Sequence, residues 1–300
     1  MKDWEDYNVG THESIQDIPV ERSATDQRAL VLALEAVQRD GLRVLFGAAS
    51  QQLRETLGMR TMEHGSESYF ATSTTPGFQF NKVMGLGLDG PITSARLDVA
   101  ADWLRRYCPP GSLLMLPPFD GSPTLARDLA QSGFERFDID AAVFHLPAHA
   151  AVEPPSTPGI SVRKVTPAET GLFGEVICEG LEKPSQCAAW PAAYAAGQPG
   201  MTAYLAYDGE TAIGGAVLFV SGTRAWLGSA TTIRAFRGRG AQSALLAQRI
   251  VDGRKQGATV FSVETLRPTP GKADIFSSYR NVRRMGFELA YFRPNYVLRS

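Results

Sequence analysis

One stretch constrains the fold more than any other: Arg237-Gly238-Arg239-Gly240-Ala241-Gln242. Before it, Arg224 to Ile233 reads as a strand. After it, Ser243 to Gln256 places Ala244, Leu245, Ala247, Ile250 and Val251 at helical spacing. A strand that turns through glycines into a helix leaves unpaired N–H groups at the helix start, at the positive end of its dipole. That is an anion site. Gly238 and Gly240 let the backbone come close, and Arg237 and Arg239 add positive charge. A further apolar run, Thr259 to Leu266, follows as a buried strand. The order is strand, glycine turn, helix, strand. It lacks the G-x-G-x-x-G of a dinucleotide fold.

Arg-x-x-Gly-x-(Gly/Ala) between a strand and a helix is the acetyl-CoA motif of the GNAT superfamily of N-acetyltransferases. This chain resembles it through Arg237 and Gly240, with Gln242 where Gly or Ala is usual. A second landmark is the run Ser278 to Phe287, ending Met285-Gly286-Phe287, which resembles the fourth helix of that fold. The resemblance covers residues 159–300. It implies an acetyl-CoA-dependent transfer to an amine of a small molecule or peptide, with acetyl-CoA as co-substrate and no metal. A CoA-binding sensor without chemistry, or a transferase of longer acyl groups, are the alternatives.

The length of 300 residues suits two domains. Residues 1–158 hold 13 Lys and Arg against 21 Asp and Glu, and residues 159–300 hold 17 against 10, so the basic excess lies with the proposed phosphate site. Net charge near zero implies no nucleic-acid partner. Cys108, Cys178 and Cys187 fit no zinc spacing. With no leader and no long apolar run, the expectation is a cytoplasmic chain off the membrane, a monomer or homodimer.

The first half repeats the order of the second at the level of spacing: a helix, strand Leu113 to Leu116, a proline loop, a helix, then Gly133-Phe134. The fold class expected is α/β (α+β): two GNAT-like domains, each a mixed, mostly antiparallel twisted sheet flanked by helices. The boundaries are a tail at 1–22, a degenerate domain at 23–150, a proline-rich linker at 151–158 and a catalytic domain at 159–300. The first half's own glycine turn, Gly85 to Pro91, has no Arg and carries Asp89, the wrong charge for an anion.

The resemblance places Thr231, Thr232 and Ile233 beside the pantetheine arm of CoA, Arg237 to Gln242 at its pyrophosphate, and Asn281 as a further CoA contact. It also implies that the helices after residue 167 cover the acceptor; Phe173, Ile177, Trp190 and Tyr194 are candidates to line that site or to form core. Amine acetylation needs a base, and Glu264 is the only carboxylate between Asp252 and Asp274. Burial is expected to raise its pKa, unless it pairs with an arginine such as Arg267. For the acid, Val282 stands where relatives carry Tyr, so Tyr279 and Ser278, one turn earlier, are the candidates, with water the alternative. All four histidines, His12, His64, His145 and His149, lie in the first half, so the catalytic half is expected to lack one.

Overall fold

A computed structural model describes residues 22–75, 77, 79–118, 123–152, 155, 157–268 and 277–299. Almost all of the expected tail at 1–22 lies outside the described residues. The first half contributes α1 (Ala24–Gly47), α2 (Gln51–Leu57), β1 (Met59–His64), β2 (Glu67–Thr72), β3 (Lys82–Met84), α3 (Ser94–Tyr107), β4 (Leu113–Met115), α4 (Leu125–Gln131), β5 (Phe134–Arg136) and β6 (Ala141–Leu146). The second contributes β7 (Ile160–Lys164), α5 (Thr170–Gly180), α6 (Ala189–Ala195), β8 (Met201–Asp208), β9 (Thr211–Ser221), β10 (Arg224–Thr232), α7 (Ala241–Lys255), β11 (Val260–Leu266), α8 (Ser277–Arg284), β12 (Glu288–Arg293) and β13 (Asn295–Leu298).

Local chemistry accounts for most boundaries. Ser23 caps α1 by accepting the Asp26 N–H at 3.1 Å. α1 runs eight residues past the expected end at Arg39, because Leu42, Leu45 and Phe46 keep its buried face going. Gly58, left-handed at φ 57°, ends α2. Asp208-Gly209 turns β8 into β9, as a hairpin signal should.

The strands form two mixed sheets. One has the order β1-β2-β3-β4-β13-β5, the other β12-β6-β11-β10-β9-β8-β7. Each sheet holds one parallel pair, β3 with β4 and β10 with β11, among antiparallel neighbours. The last strand of each half sits in the other half's sheet. β6 lies between β11 and β12, and β13 lies between β4 and β5. A cut at residues 150–159 therefore divides the chain but not the sheets. β6 is buried on both faces, as a central strand must be, but its apolar pattern is the same whichever sheet receives it. One consequence corrects an expectation: His145 of β6 stands opposite Ser262 in the second sheet, so that sheet does hold a histidine.

The helix α1 crosses the same divide. It packs on β9, β10, β11 and β12 of the second sheet, and Gly41 gives the room, since a Cβ there would lie 2.4 Å from the Trp226 ring. One core runs between the halves, joining Phe46, Phe70 and Met115 to Phe173, Trp190 and Val217. The Trp190 indole N–H donates to Leu45 O at 2.7 Å across this seam. A second core lies under α7 and α8, and a third between the first sheet and α3.

Candidate functional site

The second sheet opens where its parallel pair ends. β10 and β11 pair only from Arg224 with Val260 to Trp226 with Ser262. Beyond that the strands part, and among the described residues the edge groups of Leu227 to Thr232 have no strand partner on that side. On the other side, Thr231 and Thr232 pair with Gly215 and Gly214 of β9 after a bulge between Gly228 and Thr231. Ser229 carries the bulge at φ 45°, an uncommon conformation for a residue with a side chain. Arg249, fully buried on α7, donates to Leu245 O and to Val217 O, both at 3.0 Å. It also reaches Gly228 O at 3.4 Å, so it holds a carbonyl on each of β9 and β10 at the pair where the bulge begins. Burial lowers its pKa to about 9.

At the far end of β10 the chain enters the glycine turn. Gly238 and Gly240 have φ of 82° and 91°, and Gly240 is the cap residue of α7 with no side chain bonded to the helix start. Among the described residues no side chain caps the first-turn N–H groups, as an anion site requires. The arginines behave differently from expectation. Arg237 Nε donates to Thr232 O at 3.2 Å and Nη2 to Gly180 O at 3.4 Å, which ties β10, the end of α5 and the turn together. Its guanidinium also lies 3.7 Å from Glu182. Arg239 pairs with Asp208 at 2.7 Å. Both are more than a third exposed. Ala241 is buried, and Gln242 Oε1 accepts from Asn281 Nδ2 at 2.7 Å, so the start of α7 is joined to α8. Ile233, also buried, donates its N–H to Ile213 O at 2.9 Å.

Glu264 stands on β11 just past the opening, facing α1. Its carboxylate pairs with Arg293, and Arg293 in turn reaches Glu35 at 3.0 Å and Gln38 at 2.9 Å. The Tyr291 hydroxyl donates to Glu35 at 2.7 Å. Burial pushes the Glu264 pKa up, but the Arg293 and Lys82 charges and a Gln38 hydrogen bond outweigh it and hold the carboxyl below the usual range. The expected rise toward neutrality is therefore corrected. The partner is also not Arg267, which pairs with Asp140 at 3.0 Å. Arg293 and Glu35 are fully buried, whereas the Glu264 side chain is 29% exposed. On α8, Tyr279 is buried edge-on against Phe144 and Ser278 is exposed. Phe173, Ile177, Trp190 and Tyr194 are all buried in the shared core.

Comparison with solved structures places this geometry. A GCN5-related N-acetyltransferase from Sphaerobacter thermophilus superposes with a TM-score of 0.56 over 92% of this chain and 92% of its own, at 16% identity. One from Kribbella flavida gives 0.55 over 86% and 96%, at 13% identity. This chain has the GNAT fold, twice over. A GNAT-family protein from Novosphingobium aromaticivorans, described as a putative acetyltransferase, gives 0.50 over 89% and 97% at 14% identity. No family model matches the sequence, and no curated protein does.

The first GNAT-like sheet carries the same parts in a closed form. Asp89 accepts the Ser66 N–H at 2.8 Å and pairs with Arg96 at 2.8 Å. Burial raises its pKa, but these partners win and hold it at about 2. Thr93 caps α3 by accepting the Arg96 N–H. The helix start that is bare in α7 is satisfied here by the chain itself. Two surface cavities, one of about 570 Å³ beside α4 and β13 and one of about 470 Å³ along α1, lie away from the β10–β11 opening. Among the described residues, no cluster of His, Cys, Asp or Glu is placed to hold a metal, and no helix is long and apolar enough to cross a membrane. Sequence reasoning missed Glu35, Gln38, Lys82, Arg249 and Arg293. The one signal on offer was Glu35 and Gln38, polar residues on the apolar face of α1.

Proposed function

We propose that this chain transfers an acetyl group from acetyl-CoA to an amine, using the second sheet alone to hold the donor. The observation that carries the reading is the uncapped start of α7 behind the parted strands β10 and β11. In this reading the pyrophosphate takes the N–H groups of Gly238 to Gln242. The pantetheine arm lies along the open edge of β10 beside Thr231, Thr232 and Ile233 and pairs with the backbone groups there that point away from β9, as an added strand would. Arg237 and Arg239 shape the turn and add their charge from its rim. Asn281, through Gln242, fixes α8 beside it.

The amine nitrogen attacks the thioester carbon, the C–S bond breaks, and CoA leaves as its thiolate. Glu264 receives the ammonium form of the acceptor. Its ionised carboxylate holds the cation; the ammonium loses one proton to water before attack, because a protonated nitrogen has no lone pair, and Glu264 relays to water the second proton, released as the C–N bond forms. The proton that returns to sulfur comes from Tyr279 or from water; Ser278, exposed to bulk water, offers nothing water does not. A CoA sensor is the second reading, favoured by the Arg293 pair that already occupies Glu264. Release of free CoA thiol from acetyl-CoA across an amine panel separates the two. Turnover with at least one amine supports the transferase, and tight acetyl-CoA binding with no thiol release from any supports the sensor. A propionyl- and butyryl-CoA series in the same assay reads the donor.

A further inference from the structure

Helix α1 lays an apolar stripe on the second sheet, where Val31 and Leu34 pack with Val143, Ala290 and Tyr291. Two places on that stripe are polar. Glu35 and Gln38 share the face by helical spacing and are buried, at 0% and 2% exposed. Apolar side chains would cost less to bury here, since a buried ion pair seldom gains stability over well-packed apolar groups. What the two residues do instead is hold Arg293. Its Nη1 donates to Glu35 Oε1 at 3.0 Å and to Gln38 Oε1 at 2.9 Å. The Tyr291 hydroxyl fixes Glu35 in turn, donating to the same Oε1 at 2.7 Å. Arg293 Nη2 is thereby left for Glu264 Oε2.

The Glu35–Arg293 pair is not arranged to saturate its own groups. Among the described residues Glu35 Oε2 and Arg293 Nε make no hydrogen bond, so a single guanidinium nitrogen meets a single oxygen where a two-pronged fork is possible. The remaining prong goes to Glu264. Gln38 closes the loop: Arg293 takes its oxygen, and its amide donates to Glu264. In the sequence Tyr291, Glu35, Arg293, Glu264 only the last side chain is more than marginally exposed, at 29%. The buried links fix a carboxylate that faces outward. We propose that Glu35 and Gln38 are positioning residues for the transfer, acting through Arg293 to hold the Glu264 carboxylate in one place. The proposal rests on the transferase reading above. It makes a helix of the first half part of the acceptor machinery of the second, with no share in holding CoA.

The test is a double-mutant cycle between Glu35→Met and Glu264→Gln, read by CoA thiol release. Glu35→Met should lower kcat by about 10- to 10²-fold, the scale of a displaced catalytic group, and move the acetyl-CoA KM by less than about twofold. Glu35→Gln keeps an oxygen to accept from Arg293 and Tyr291 and should recover most of that loss. In the Glu264→Gln background Glu35→Met should have no further effect on kcat, because the group it positions is already gone. A residue that only stabilises the fold would lower the melting temperature and act alike in both backgrounds. An unchanged kcat in Glu35→Met, no recovery in Glu35→Gln, or the same fractional loss with Glu264 already replaced overturns the proposal. Where Glu35→Met fails to fold, Gln38→Met carries the same cycle, since it leaves the Glu35–Arg293 pair in place. Should no amine be turned over, the transferase reading fails by itself. The positioning is then read at neutral pH from the NMR signal of the Glu264 side-chain carboxyl carbon, assigned as the one missing from Glu264→Gln. A larger shift in Glu35→Met than in Glu35→Gln supports it, and equal shifts or none overturn it.

Discussion

Sequence reasoning alone would test the phosphate turn with Gly240→Asp, but the structure shows Gly238 to be the cleaner site. At Gly240 a Cβ would fall 2.5 Å from Thr157 Cγ2, so any side chain disturbs the linker as well as the site. At Gly238 φ is 82° and nothing lies within 4 Å of a built Cβ. Gly238→Ala then costs about 1–2 kcal/mol for its left-handed backbone and nothing for space. Gly238→Asp has a similar or smaller backbone cost, because Asp tolerates this conformation, and adds one negative charge. At contact distance from a bound phosphate that charge costs about 1–4 kcal/mol, between the aqueous and near-surface limits. CoA affinity should drop about 5- to 10³-fold relative to Gly238→Ala, with the gap narrowing as salt rises. Titration calorimetry with CoA at two ionic strengths reads this directly. Equal affinity in the Ala and Asp variants would refute the placing of the pyrophosphate at this turn.

Other expectations concern the charged cluster. Glu264→Gln should lower turnover by about 10²–10⁴-fold with CoA affinity nearly unchanged. It should also cost about 1–3 kcal/mol of stability by denaturant melting, less than a fully orphaned charge because Arg293 keeps Glu35. No change in either quantity would make the Arg293 pair incidental. The Glu264 pKa is depressed, so its share of stability is present above the ordinary carboxylate pKa and is lost only as pH falls below it; no acid limb near neutrality should come from this residue. Lys82 has the opposite pattern. Burial lowers its pKa from 10.5 to about 8, so the unfolded chain holds that proton more tightly and stability rises as pH climbs through this window. The wild type should gain up to about 3 kcal/mol over Lys82→Met between pH 8 and 10.5. Parallel stability curves for the two proteins would show that Lys82 is solvated.

The parts legible in the sequence were the local ones. Gly238, Gly240 and the apolar stripe of α7 announce a turn into a helix because φ above zero and helical spacing are properties of neighbouring residues. Asp89 in the first turn was legible as a charge of the wrong sign, and the structure adds how Ser66 and Arg96 hold it. The strand exchange was not legible. The apolar pattern of β6 and β13 reports burial, and that pattern is the same whichever sheet receives them. Nor was the Glu264 environment: Arg293 meets Glu35 across 258 positions, and no local pattern couples them. An apolar run around Glu264 suggested desolvation, which would raise its pKa. The decisive contribution was a cation brought in by β12, 29 positions on.

The central claim is that one helix start in this molecule is open to the donor and the corresponding one is closed. Acetyl-CoA titrated calorimetrically into the full chain tests it most directly. One mole bound per mole of chain, weakened by Gly238→Asp and unaffected by Thr93→Ala at the closed turn, is the predicted result. Two moles bound, or binding that survives Gly238→Asp and is lost on changing the first turn, would contradict it.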